Sequence, residues 1–327
     1  MPSSTNKPLI SVVTPSWNRS KYLTNLWHGL SNQDFYDFEW VIANDGSTDD
    51  TDKIIKELVT KSNFEVTYIC SDVRLGKAVM DNLLIKHSRG KFLVWNDSDD
   101  ILHYNALSSL IDAWKQIGNK KEYIGVAALN TSKENIHQTN VKFSKQIFED
   151  FFWNDLYKKS LGDSTMLIKK SLIGDKKFPE VDFFFPEGIF WNEIYRNKFI
   201  RFLKTEIKTM DRSAENSISH GNKIQYTKGS LMGITQNKFF YKLSIFWRIN
   251  TVIKYVRFSI HSDIGFSKKL LSWKVLKRNP LYFLVFPAGY LLAIRDNYKN
   301  KVEKTFIEFE KNINQHNLQI SRHKIIR

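Results

Sequence analysis

Lys91-Phe92-Leu93-Val94-Trp95-Asn96-Asp97-Ser98-Asp99-Asp100-Ile101-Leu102 is the stretch on which the fold turns. Its apolar run, Phe92 to Trp95, is long enough for one buried strand and too short for a helix. The run breaks into three carboxylates, Asp97, Asp99 and Asp100. Carboxylates this close at the end of a buried strand repel one another, and a shared divalent cation would keep them ionised. A solvated acidic turn or a helix N-cap would use the same residues, since Asp suits both.

Upstream, strand and helix patterns alternate. The β-branched run Leu9 to Thr14 predicts a first strand, ended by Pro15. The polar turn Ser16-Trp17-Asn18-Arg19-Ser20 then leads into a helix over residues 21–32. Phe38 to Ala43 predicts a second strand, followed by Asn44-Asp45-Gly46-Ser47-Thr48-Asp49-Asp50. Gly46 permits a sharp turn, and Ser47 or Thr48 can cap a helix over residues 49–61. Asp45 has no such structural duty, and it stands at the carboxyl end of the strand, where open α/β sheets bind ligands. Glu65 to Cys70 predicts a third strand, and residues 76–87 a helix carrying Lys77 and Asn82. This alternation implies a parallel sheet with right-handed crossovers. No GxGxxG or GxxxxGK[ST] pattern supports a dinucleotide fold or a P-loop.

The chain has 327 residues, room for one large α/β domain plus an appendage, or for two modest domains. Cys70 is the only cysteine, which excludes an intrachain disulfide and fits a reducing compartment. Residues 1–8 are polar and lack an apolar signal core, so a cytosolic chain is expected. The net charge is +15, but residues 237–327 hold 18 Lys and Arg against 5 Asp and Glu, a net of +13. The basicity is a C-terminal property, separate from the chemistry upstream, and no nucleic-acid partner is expected.

Three motifs now stand in order: Ser11-Val12-Val13-Thr14-Pro15-Ser16-Trp17-Asn18-Arg19, Val41-Ile42-Ala43-Asn44-Asp45-Gly46-Ser47-Thr48-Asp49, and Gly90-Lys91-Phe92 leading to Asp97-Ser98-Asp99-Asp100. In order and spacing they resemble the family two glycosyltransferases over residues 8–220. The resemblance implies a GT-A fold, a Rossmann-like, mostly parallel α/β sheet flanked by helices, that binds a nucleotide-sugar. Carried over by position, Thr14, Pro15, Asn18, Arg19, Lys77 and Ser98 would bind the donor, and Asp45 would read the uracil ring. Asp97 and Asp99 match the DxD pair that meets the ribose and a Mn²⁺ or Mg²⁺ ion on the diphosphate.

Downstream, residues 122–130 and 139–144 predict strands, and residues 146–157 a helical turn. Gly162-Asp163-Ser164-Thr165 resembles the family's acceptor-side segment, which makes Asp163 an acceptor-binding candidate, though a plain turn would look the same. Glu187 lies in the aromatic stretch Phe183-Phe184-Phe185-Pro186-Glu187-Gly188, at a predicted helix start. A carboxylate there also complements the helix dipole. The resemblance nevertheless makes Glu187 the general base of inverting transfer, with Glu193 in reserve. Residues 199–210 predict an edge strand. The polar loop beyond it resembles the segment that closes over the donor, so Arg212 would meet the diphosphate and His220 would add to the metal shell.

From residue 221 onward the chain is basic and aromatic-rich, with helices expected over 239–260 and 267–278 and a charged helix with a loose tail over 300–327. The charge-free run Leu281 to Ile294 is shorter than a spanning helix requires, and Pro287 and Gly289 interrupt it. Aromatics bordered by Lys and Arg instead suit an anionic membrane surface, giving peripheral association at the inner face of the cell membrane; an ordinary helical appendage is the other reading. The expected domains are therefore a catalytic 1–220 and a helical 221–327. The expected activity is metal-assisted, inverting transfer of a hexosyl or hexosaminyl group from a UDP-sugar to a saccharide or lipid-linked acceptor in surface polysaccharide assembly. A sugar-phosphate nucleotidyltransferase and a non-catalytic basic nucleic-acid- or membrane-binding protein are the alternatives.

Overall fold

The computed structural model describes residues 7–118, 120–132, 144–145, 147–157, 163–181, 183–211, 227–235, 245–261, 280–299 and 318–323. They divide into two compact units, the first comprising Met1–Glu180, Asn192–Ser219 and Glu310–Arg327, the second Val181–Trp191 and His220–Phe309.

The first unit is built on β1 (Ile10–Ser16), β2 (Phe38–Asp45), β3 (Glu65–Ser71) and β4 (Phe92–Trp95), alternating with α1 (Ser20–Ser31), α2 (Thr51–Lys61) and α3 (Lys77–His87). These four strands are parallel and lie in the order β3-β2-β1-β4. Pro15 does not end β1; the strand continues through it, with Pro15 opposite Ala43 and Ser16 opposite Asn44. Beyond β4 the sheet continues through β8 (Ser164–Lys169), β6 (Tyr123–Ser132), β9 (Phe199–Met210) and β5 (Asp100–Leu102). The helix α4 (Ala106–Ile117) follows β5.

Periodicity explains the packing. Leu23, Leu26 and Leu30 of α1, Ile55, Leu58 and Val59 of α2, and Leu107, Leu110 and Ile111 of α4 recur at helical spacing. They join Val12, Trp40, Ile42, Val66 and Val94 in one buried core. Each such side chain contributes about 2 kcal/mol on burial.

Three further expectations change. Residues 148–152 form β7 (Phe148–Phe152) rather than a helical turn, with helix only at α5 (Trp153–Tyr157). β7 is antiparallel to β9, and the Asp150–Arg201 ion pair at 2.8 Å joins opposite residues of the two strands. β9 is not an edge strand, since β6, β5 and β7 all pair with it. Leu318–His323, expected in a helix or loose tail, form β10, antiparallel to β3. The predicted strand at 139–144 and helix at 267–278 fall outside the described residues, apart from residue 144.

The second unit includes α7 (Thr227–Thr235), α8 (Ile245–His261) and α9 (Phe286–Lys299), α9 being preceded by a 3-10 turn, Pro280–Val285. Pro287 lies in the first turn of α9, where its missing N–H costs nothing. Gly289 lets α9 close on α8, because a Cβ there would lie 2.6 Å from Val256. Among the described residues no helix is long and apolar enough to cross a membrane.

Asp296 fastens α9 to α8, accepting from Arg257 Nε at 2.5 Å and Nη2 at 2.7 Å, with His261 Nε2 at 3.2 Å. Burial alone would raise its carboxyl pKa, but Arg257 and then His261 outweigh it and hold the pKa below the ordinary range. The lowered folded pKa stabilises the unit above the unfolded value, and that stabilisation is lost as pH falls through the folded one. Asp296→Asn is expected to cost about 3 kcal/mol at neutral pH and less in acid. Hydrogen exchange of the α8 and α9 amides checks this; equal protection in both proteins at pH 7 would count against it.

Candidate active site

β1 lies between β2 and β4, so the strand order reverses there, and open α/β sheets bind ligands at the carboxyl ends beside such a reversal. The loops after β1, β2 and β4 meet that requirement. The first two are stapled together. Asn18 adopts φ 51°, a left-handed conformation that Asn tolerates. Its Oδ1 accepts the Thr48 N–H at 2.9 Å, and its own N–H donates to Ser47 Oγ at 2.9 Å. The Arg19 N–H donates to Thr51 Oγ1 at 2.8 Å.

Asp45 is the last residue of β2 and is 5% exposed. Its Oδ1 accepts the Leu75 N–H at 2.6 Å and the Gly76 N–H at 3.1 Å. Burial pushes its pKa up to about 6 even though those N–H groups and Arg74 favour the charged form. Gly46 has φ +62°, and a Cβ there would lie 2.3 Å from the Val73 carbonyl carbon, so the turn requires glycine. Arg74 stacks 3.4 Å from the centroid of the Trp17 ring.

In the loop after β4 the three carboxylates have separate environments. Asp100 Oδ2 is 2.6 Å from Lys208 Nζ, and the two side chains are 4% and 6% exposed. Burial would strip the proton from Lys208, but Asp100 first and Asp97 next hold its pKa above the usual range. Asp99 is pushed up to about 6 by burial and by repulsion from Asp97 and Asp100. It lies 3.7 Å from Arg19 Nε. Asp97 is exposed and Ser98 buried. Asp163, exposed just before β8, is near enough to act electrostatically on the Asp100–Lys208 pair.

Among the described residues no group of three or more His, Cys, Asp or Glu is arranged to hold a metal. Asp97 and Asp99 offer two carboxylates whose mutual repulsion Arg19 only partly offsets, a donor set that suits a Mg²⁺ or Mn²⁺ ion completed by water and substrate phosphates. Ser16 Oγ and Asn96 Oδ1, at the same strand ends, are buried with no hydrogen-bond partner. A polar ligand would supply one.

Thr14 is fully buried and its hydroxyl accepts from Trp40 Nε1 at 3.1 Å, which places it inside the sheet. Pro15 is partly buried within β1. Lys77 bridges to Asp81 at 3.0 Å, and Asp81 also accepts from Trp95 Nε1. Asn82 clamps the Phe178 backbone through both its N–H and its carbonyl. Glu187 is partly buried in the second unit, directly before α6 (Gly188–Tyr195), and its carbonyl accepts the Trp191 N–H. Glu193 is exposed and belongs to the first unit. Arg212 and His220 lie outside the described residues. Lys208 and Arg74 were not anticipated; the only signal for Lys208 is a cation on a strand that the sheet buries.

Residues 11–173 match the family model described as Glycosyl transferase family 2. The chain belongs to that family. The matched region of this family 2 glycosyltransferase holds all three strand-end loops and Asp163, and ends before Glu187. The chain is 29% identical over 199 residues to the GalNAc(5)-diNAcBac-PP-undecaprenol beta-1,3-glucosyltransferase of Campylobacter jejuni, covering 58% of this chain and 61% of the relative. It is 25% identical over 283 residues to the chondroitin synthase of Escherichia coli, covering 79% of this chain and 37% of the relative. It therefore spans less than two thirds of either protein. The crystal structure of Staphylococcus aureus TarS 1–349 in complex with UDP-GlcNAc superposes with a TM-score of 0.57 at 18% identity, covering 93% of this chain and 97% of that one. The two share a fold.

The raised pKa of Asp45 gives a signed prediction. The folded chain keeps a proton that the unfolded chain has already lost, so this group's contribution to stability is fully present below pH 4 and is lost as pH rises through about 6. Asp45→Asn keeps an acceptor for the Leu75 N–H and removes the charge. The variant is expected to gain on the wild type by roughly 2 kcal/mol between pH 4.5 and 7.5. Urea midpoints at the two pH values measure this, and a pH-independent difference would contradict it.

Proposed function

We propose that the chain transfers a sugar from a nucleoside-diphosphate sugar, preferentially a UDP-sugar, to a hydroxyl of a saccharide or lipid-linked acceptor, with inversion, in cell-surface polysaccharide assembly. The observation that carries this reading is the acidic cluster after β4, where Lys208 neutralises Asp100 and leaves Asp97 and Asp99 at the carboxyl ends of the parallel strands. The undecaprenol-linked saccharide named for one relative and the chondroitin named for the other support the acceptor class.

In this reading Asp45 reads the base, the Asn18–Arg19 loop lines the nucleotide pocket, Asp97 and Asp99 hold the cation, and Asp163 meets the acceptor. A bound Mn²⁺ or Mg²⁺ would supply charge neutralisation to the departing diphosphate. The acceptor hydroxyl oxygen bonds to the anomeric carbon, the bond from that carbon to the diphosphate breaks, and Glu187 takes the hydroxyl proton. Glu187→Gln is expected to lower UDP release with acceptor present at least about 100-fold, the lower end of a general-base contribution, and Asp99→Ala to lower it through loss of the cation. Activity retained by both variants removes the site assignment.

Peripheral attachment to the inner face of the cell membrane completes the proposal. The second unit exposes Ile245, Phe246 and Trp247 at the start of α8, and Leu284, Tyr290 and Leu291 around α9. Aromatic and aliphatic surface of this kind, in a basic segment, suits the headgroup region. The double variant Phe246→Asp/Leu284→Asp is expected to lose flotation with phosphatidylglycerol vesicles while keeping UDP binding. Unchanged flotation would reduce these helices to an ordinary appendage.

A further inference from the structure

The amino-terminal ends of the same strands carry a second, basic site. A cavity of about 840 Å³ opens there, lined by Lys7, Arg89, Lys91, Lys169 and Lys170 against only two carboxylates, Asp37 and Asp175. The strand register gathers these cations. Ile10 pairs with Phe92 and Phe92 with Lys169, so the residues flanking those positions converge at one end of the sheet. The Lys170 N–H donates to the Lys91 carbonyl at 3.0 Å, which fixes that arrangement.

The cations differ in how they are used. Arg89 is spent: its Nε meets buried Glu39 at 3.0 Å, and Nη2 meets Glu65. Its own N–H and the Ser11 hydroxyl also donate to Glu39, which makes the cavity's base rigid. Lys170 donates to the Ser88 carbonyl. Lys7, Lys91, Lys169 and Lys170 form no ion pair with a carboxylate among the described residues. Burial lowers the pKa of Lys170; Glu39 opposes that shift, and Lys7 adds a smaller repulsion. The Ser171 hydroxyl adds a neutral donor to the rim, and Pro8, Leu9 and Ile85 give an apolar wall.

Ammonium groups gathered around one cavity from separate stretches of chain, and outnumbering the carboxylates there, are a preorganised receptor for an anion. We propose that this cavity binds a phosphate-bearing anion, at a site separate from the acidic strand ends that the donor would occupy. The shared chemistry is the phosphoryl group, presented either as free phosphate or within a lipid headgroup. The site stands whether or not the transferase reading does, because none of its residues belongs to that machinery.

The test uses the full chain and two soluble probes, inorganic phosphate and glycerophosphoglycerol, each titrated calorimetrically without divalent metal. The wild type is expected to bind at least one of them saturably with Kd at or below about 1 mM, and Lys91→Glu/Lys169→Glu to weaken that binding at least about tenfold. Tighter binding of phosphate identifies a soluble ligand; tighter binding of the phosphodiester identifies a headgroup. UDP affinity in the presence of Mn²⁺ should stay unchanged in the variant. If the charge reversal impairs folding, Lys91→Gln/Lys169→Gln serves the same comparison with a smaller loss expected. No saturable binding of either probe, or equal affinity in wild type and folded variant, overturns the proposal.

Discussion

The Asp100–Lys208 ion pair is the interaction on which the acidic loop depends. Three carboxylates follow β4, and a sheet cannot bury one of them unless a cation comes with it. β9 provides the cation, because β5 pairs with its last residues and brings Lys208 within 2.6 Å of Asp100. The Asp100 N–H donates to the Asp97 carbonyl at 3.0 Å, so the loop doubles back on itself and keeps Asp97 at the surface. A pair this deeply buried adds little stability over an apolar one, yet losing either partner costs about 3–5 kcal/mol. Its effect here is positional. Asp100 is balanced by a buried cation, while Asp99 has only the longer Arg19 contact and Asp97 faces solvent.

The sheet is consequently polarised along its strands. Carboxylates collect at the carboxyl ends of β2 and β4, while lysines collect where β1 and β4 begin. Between the two ends the strands are almost wholly apolar and buried. Ser11, Glu39, Arg89 and Glu65 form a paired polar network that closes the amino-terminal end.

Much of this could be read from the amino-acid order, and the residues show why. The β-branched runs from Leu9 to Trp95 alternate with amphipathic segments, so local pattern and tertiary packing agree. Asp45, Asp97 and Asp99 stood out because each follows an apolar run that cannot itself hold a charge. Lys208 did not, since its meaning lies in a partner from a distant strand. β7 was missed for a related reason: Phe148-Glu149-Asp150-Phe151-Phe152 has no clear period, and pairing with β9, including Asp150 to Arg201, decides its conformation. Thr14 and Lys77 had been placed by motif position alone; the Trp40 indole and Asp81 engage them in the fold.

β10 sets an order of events for the chain. Its Arg322 bonds to Thr67 across a separation of 255 residues, and the residues of the second unit are threaded between those two partners. Until that last segment has been synthesised, the outer side of β3 has no neighbour and its amide and carbonyl groups stay open to pairing with other chains. Closing so long a loop is slow. A nascent molecule therefore carries that unfinished border from the completion of β3 until residues 318–323 are made, and a chaperone would find its opportunity there.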